Sequence, residues 1–175
     1  MLSRVLAKLE LLAPVASPVA AYLKHFVNRP HVQRRITEFM ENGSRSYSAF
    51  LRSWIYAAMI EAKRIPPEWR RLAESDVKDR NNPVFLRAVA SCVVGKARVP
   101  RDMTWLKTEI ATELDPEMVR ALLVALTYGS SLDKGTARST ATKHPSLRHT
   151  AEWLQGRVGL PSLLYPRQDI RIARA

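Results

Sequence analysis

The chain has 175 residues and a mass of 19.8 kDa, with 46% hydrophobic and 25% charged residues. That is enough apolar material for one folded domain or one array of small repeats, and it excludes wholesale disorder. Lys and Arg number 28 against 16 Asp and Glu, a net charge of +12, which points to a polyanionic partner such as nucleic acid, an acidic membrane surface or an acidic protein. The single cysteine, Cys92, excludes an internal disulfide framework and every multi-cysteine zinc site and fits a reducing, cytoplasmic setting.

The first segment, Leu2 to Leu12, is apolar and basic, but Lys8 and Glu10 interrupt it. It reads as an amphipathic helix rather than a signal peptide, stopped by Pro14. Ser17 and Pro18 supply an N-cap and a first-turn proline for a second helix carrying Val19, Tyr22, Leu23 and Phe26. Pro30 opens a third, with Val32, Ile36, Phe39 and Met40 on one stripe and Asn42-Gly43 closing it. Ser46 begins a longer helix to about Lys63 whose apolar residues cover a wide arc, and Pro66-Pro67 breaks it. Trp69, Leu72 and Ala73 form a short helix. Asn82-Pro83 starts one that is apolar almost all round, from Val84 to Val94 with Gly95 beyond, which suits a central position.

Asp102 reads as the cap of a further helix with Met103, Leu106 and Ile110 on one face. Asp115-Pro116 starts an amphipathic helix (Val119, Leu122, Leu123, Leu126) ending at Gly129. Ser130 to Pro145 is rich in Ser, Thr, Lys and Gly and reads as a loop. A last helix is expected from Ser146 to Leu154, anchored by Leu147 and Trp153, before an irregular tail. No stretch reads as a convincing strand, and none is apolar over 18 or more residues, so no membrane span is expected. The expected fold is all-α: a helical-hairpin solenoid or an irregular helical bundle over residues 1–129, followed by a basic loop, short helix and tail over 130–175.

Two features organise this series. Charge is uneven: residues 1–66 carry +6, residues 67–129 only +1, and residues 130–175 carry +5. A neutral middle suits a structural body, and basic flanks suit contact with a polyanion. There is also an internal repeat. Pro83-Val84-Phe85-Leu86-Arg87-Ala88 aligns with Pro116-Glu117-Met118-Val119-Arg120-Ala121 at an offset of 33, and Phe50-Leu51-Arg52 lies 35 residues before Phe85-Leu86-Arg87. A period of this length with two helices per unit describes stacked helical hairpins.

The segment from Asp115 to Leu123 resembles the second helix of a HEAT-like repeat. A leucine-rich first helix, Val19-Ala20-Ala21-Tyr22-Leu23, the Ile36-Thr37-Glu38-Phe39 helix, Phe50-Leu51-Arg52-Ser53-Trp54 and the two Pro…Arg-Ala hairpins follow in order. Together, over roughly residues 5–129, they resemble the helical-repeat region that follows the catalytic core in bacterial reverse transcriptases of the abortive-infection and phage-defence type. The resemblance implies an accessory or a part of such an antiviral system. It does not imply polymerase activity in this chain, because that chemistry needs paired aspartates for two Mg²⁺ ions and no two aspartates are adjacent here.

No other constellation points to catalysis or to a cofactor. His144 and His149 lie in a basic stretch without a carboxylate pair, His25 and His31 stand alone, and Cys92 sits in the most apolar helix. There is no Gly-x-Gly-x-x-Gly and no P-loop. Glu109, Glu113 and Glu117 read as a solvated face. What remains is cationic: Lys24, Arg34, Arg35, Arg45 and Arg52 in the first part, and Lys134, Arg138, Lys143, Arg148 and Arg157 in the last. These are the candidate phosphate contacts for DNA or RNA, with Trp54 and Trp153 as stacking residues if exposed. The repeated arginines Arg52, Arg87 and Arg120 have a phosphate reading and a structural one, and their apolar flanks favour structure. Three functions are compatible: a nucleic-acid-binding scaffold working with a polymerase or other chain, a protein-interaction solenoid docking an acidic partner, and peripheral membrane binding through Leu2–Leu12.

Overall fold

The computed structural model describes residues 22–43 and 49–156, so the Leu2–Leu12 helix, the Ser17-Pro18 cap, Ser46 and the tail beyond Gly156 lie outside the described residues. Among the described residues the fold is all-α. Its helices are α1 (Pro30–Gly43), α2 (Ala49–Ile60), α3 (Pro67–Lys78), α4 (Val84–Ala97), α5 (Pro100–Thr112), α6 (Pro116–Gly129), α7 (Lys134–Lys143) and α8 (Arg148–Leu154), with a short 3₁₀ turn at Pro145–Leu147. Among the described residues, β-pairing is limited to an isolated bridge between Leu132 and Gln155. No helix among these is long and apolar enough to cross a membrane.

Proline sets the register. Pro30, Pro67, Pro100 and Pro116 each open a helix, where the missing N–H costs nothing and the fixed φ is already helical. Asp115 caps α6 as expected, accepting from the N–H groups of Glu117 at 2.8 Å and Met118 at 3.2 Å. The other two expected caps are corrected. Pro83, not Asn82, precedes α4, and the Asn82 amide instead donates to Asp76. Asp102 lies inside α5, whose N-cap is Val99, and its carboxylate is turned inward to Arg70.

The helices pack as successive hairpins. α3 lies on α4, α5 on α6 and α7 on α8, while the second helices form a continuous spine in the order α2, α4, α6, α8. α1 packs on α3, and α7 on α5. α4 is central as its composition predicts, touching α2, α3, α5 and α6. The helix expected from Asp115-Pro116 is more deeply buried than an amphipathic stripe requires: every residue from Ala121 to Tyr128 is buried, because α4, α5 and α8 enclose it. Ser130–Pro145 is not a loop. It contains α7, and the hairpin it forms with α8 extends the stack. Of the two expected anchors of the last helix, Leu147 is fully buried but Trp153 is 41% exposed.

The spine needs one close approach. A Cβ placed on Gly95 would overlap the backbone carbonyl of Ala125, so α4 and α6 meet at the distance only glycine permits. At Gly129 an added Cβ would chiefly meet the flexible Met103 thioether. Gly95→Ala is therefore expected to destabilise the fold by about 3 kcal/mol or more, read by urea denaturation, and Gly129→Ala by distinctly less; equal costs would contradict this account of the spine.

Candidate nucleic-acid interface

The cations of this protein divide into those consumed by the fold and those left on its surface. The consumed ones link each hairpin to the next. Arg52 on α2 bonds to Asp76 on α3, whose carboxylate also accepts the Tyr56 hydroxyl at 2.7 Å. Arg70 on α3 grips both oxygens of Asp102 on α5 at 2.5 Å. Arg87 on α4 donates to the Val77 carbonyl at 3.1 Å and to Glu113, just past α5, at 2.9 Å. Arg80 reaches Glu113 and Glu109. Backbone carbonyls take further cations: Lys96 donates to Ile60 at the end of α2, and Arg98, in the left-handed region at φ 57°, donates to Tyr128 near the end of α6, where a positive charge suits the helix dipole.

These groups titrate accordingly. Burial alone would raise the Glu113 carboxyl, but Arg87, the N–H groups of Asp115 and Leu114 and the charge of Arg80 outweigh it and hold it at about 2. Burial lowers Arg52 and Lys96 and raises Tyr56. The expected solvated face of Glu109, Glu113 and Glu117 is thus corrected: Glu113 is buried and Glu109 is tied to Arg80. Of the repeated arginines, Arg52 and Arg87 take the structural role, whereas Arg120 is half-exposed and pairs locally with Glu117 at 2.9 Å. Arg52, with its side chain 11% exposed against Asp76, leaves the set of candidate phosphate contacts.

The remaining candidates fall into separate groups. Lys24, Arg34 and Arg35 are exposed near the first described helix. Arg35 pairs with Glu38 at 2.8 Å, and Arg34 shares a hollow of about 380 Å³ with Glu38, Glu41 and Glu68, so that end offers mixed charge. Arg45 and Arg157 lie outside the described residues. Lys134, Arg138 and Arg148 converge on one groove of about 510 Å³ between α7 and α8, completed by Ala137, Ala141, Thr142, Gln155 and a single acid, Glu152. Among the described residues no carboxylate lies within ion-pair distance of these three cations. Lys143 lines a second hollow on the other side of α7 and donates to the Ala111 carbonyl.

α7 is what brings them together. Asp133 caps it, accepting from the Thr136 N–H at 2.8 Å and hydroxyl at 3.0 Å, and bonds Lys107 of α5 at 2.9 Å. Those hydrogen bonds, with the charge of Lys107, hold the Asp133 carboxyl at about 2. Ala137 and Thr140 form the buried stripe. The signal was present in the sequence as Asp133, the Ala137–Thr140–Ala141 spacing and a terminal Lys143. Ser, Thr and Gly content masked it, because those residues stabilise isolated helices poorly. Lys107, bonded to the cap of the same helix, reads in sequence as part of a polar helix face and not as a candidate contact.

The other chemical candidates are placed as follows. Cys92 is fully buried and burial pushes its thiol up, away from reactivity. His149 stands 3.9 Å from Glu152 on the surface. No group of three potential metal ligands occurs among the described residues. Trp54 is half-buried, edge-on to Phe50, and packs against the core. Comparison with protein-family models, with curated proteins and with solved structures yields no match.

The ion-pair ladder sets an acid response. A carboxyl held near 2 in the folded chain contributes stability above its unfolded value near 4.5 and loses it as pH falls toward 2. Stability is expected to drop between about pH 5 and pH 2, with Glu113 accounting for about 1–2 kcal/mol after solvent screening. In Glu113→Gln that part of the pH dependence disappears, at a lower stability at pH 7; urea denaturation across the range checks it.

Proposed function

We propose that this protein is a non-catalytic nucleic-acid-binding helical scaffold whose last hairpin holds phosphates. The observation that carries this reading is the convergence of Lys134, Arg138 and Arg148 on the α7–α8 groove, with one acid among the lining residues and, among the described residues, no ion pair to neutralise them. The buried arginines Arg52 and Arg87 and the largely buried Arg70 already have an acid, whereas these three cations are exposed. Three cations that neutralise phosphates release counterions and give affinity that falls with salt without reading bases. The helix order that resembles the repeat region of defence-type reverse transcriptases supports a finer proposal: the chain is an accessory to, or part of, such an antiviral assembly.

Labelled single and double strands titrated at 50 and 200 mM salt test the first proposal. Three phosphate contacts predict a loss of at least roughly 40-fold across that interval, from a slope of about −0.9 per contact on a duplex. Lys134→Glu/Arg138→Glu/Arg148→Glu is expected to abolish the binding with its thermal midpoint little changed. Absence of binding at 50 mM removes this proposal and leaves a protein-interaction scaffold docking an acidic partner. The finer proposal is tested separately by the genes beside this reading frame: a setting without a reverse transcriptase removes it and leaves the binding reading intact.

A further inference from the structure

We propose that α7 is a ridge that enters the major groove of double-stranded DNA, with phosphates of the two strands held on its two sides. This inference rests on the nucleic-acid reading above and narrows it to one polymer and one mode of approach.

α7 reads Lys-Gly-Thr-Ala-Arg-Ser-Thr-Ala-Thr-Lys and contains no acid. Its buried stripe is Ala137 and Thr140; Gly135, Ser139 and Thr142 are exposed with Lys134, Arg138 and Lys143. Hollows flank it on both sides. The one toward α8, about 510 Å³, carries Lys134, Arg138 and Arg148, and the one toward α5, about 250 Å³, carries Lys107 and Lys143. The ridge between them therefore bears only short side chains, and each flank bears ammonium or guanidinium groups. Lys107 is engaged in a half-exposed pair with Asp133, an interaction of a kind worth little in water. Lys143 spends one donor on Ala111 and retains two.

Two cationic flanks separated by one thin helix fit two phosphate strands separated by one groove. The B-form major groove, about 12 Å wide, admits an α-helix. The A-form major groove of duplex RNA is deep and narrow. A lone strand offers a single phosphate row and can satisfy only one flank. Glycine, serine and threonine on the ridge give close approach but no bidentate base reading, so sequence preference is weak.

The full chain is titrated by fluorescence anisotropy with a mixed-sequence 20-base-pair DNA duplex, the RNA duplex of the same sequence and each single DNA strand. The DNA duplex is expected to bind about tenfold or more tightly than the other probes. Lys107→Gln/Lys143→Gln is expected to weaken the duplex by about tenfold, lowering the salt slope by roughly 1.8, two contacts at about 0.9 each. Because those lysines also touch Asp133 and Ala111, a second variant, Ser139→Trp, places bulk on the exposed ridge without removing a charge and should likewise lose the duplex preference. Equal affinity for DNA duplex, RNA duplex and single strands overturns the ridge while leaving the phosphate-binding reading standing. So does a Ser139→Trp variant that binds duplex normally. Absence of binding to every probe overturns both.

Discussion

The arrangement depends on buried arginine–carboxylate pairs that join α2 to α3 and the α3–α4 hairpin to the α5–α6 hairpin. A charge removed from water must find a partner of opposite sign in good geometry, or the fold rearranges. Arg52, Arg70 and Arg87 each lie at a position where the partner sits on the following hairpin: Asp76, Asp102 and Glu113. Such pairs add little net stability compared with apolar substitutes, but removing one partner strands the other. Their effect is to fix register. A hairpin sliding along its neighbour could keep much of its apolar contact, yet it would separate every one of these pairs.

That constraint draws acids into the interior. After Glu117 the sequence supplies only Asp133, Glu152 and Asp169, against Arg120 and eight later cations. Among the described residues, the ladder of inward pairs ends where the acids thin out. The last hairpin is held instead by the buried Leu147, Ala151 and Leu154, by the Lys107–Asp133 pair and by Lys143 on the end of α5. The near-neutral middle of the sequence and its basic last part are thus two sides of one distribution: where carboxylates are plentiful, arginines serve the stack, and where they are scarce, arginines face solvent.

Much of this was legible in the sequence, for identifiable reasons. Proline marks a helix start by backbone geometry alone, so Pro30 and Pro116 placed boundaries that packing did not move. The Pro83–Pro116 offset marked the spine helices, and the apolar flanks of Arg87 pointed inward correctly. The failures are those of local reading. Asp102 looked like a cap because it stands at the head of an apolar stripe, yet a partner 32 residues earlier, Arg70, took its carboxylate. α6 looked amphipathic from the Val119, Leu122, Leu123 and Leu126 stripe, yet neighbours on three sides also buried the residues between them. α7 looked like a loop because its residues are weak helix formers; its stability comes from the Asp133 cap and from packing on α5 and α8. The cap was there to be read locally, but the packing of α7 on α5 and α8 and the pairing of Arg70 with Asp102 are tertiary and leave no local pattern.

The same packing explains why cations on α7 differ from cations on an unstructured basic segment. A lysine or arginine that must be immobilised on binding gives up side-chain and backbone entropy, and that loss is subtracted from the phosphate contact. On α7 the backbone is already fixed, by Asp133 at one end, by the Lys143–Ala111 bond at the other and by Ala137 and Thr140 between them. Only side-chain rotamers remain to be ordered. The packing of α7 on α5 and α8, with the Lys107–Asp133 pair, sets where the cations on its two sides stand.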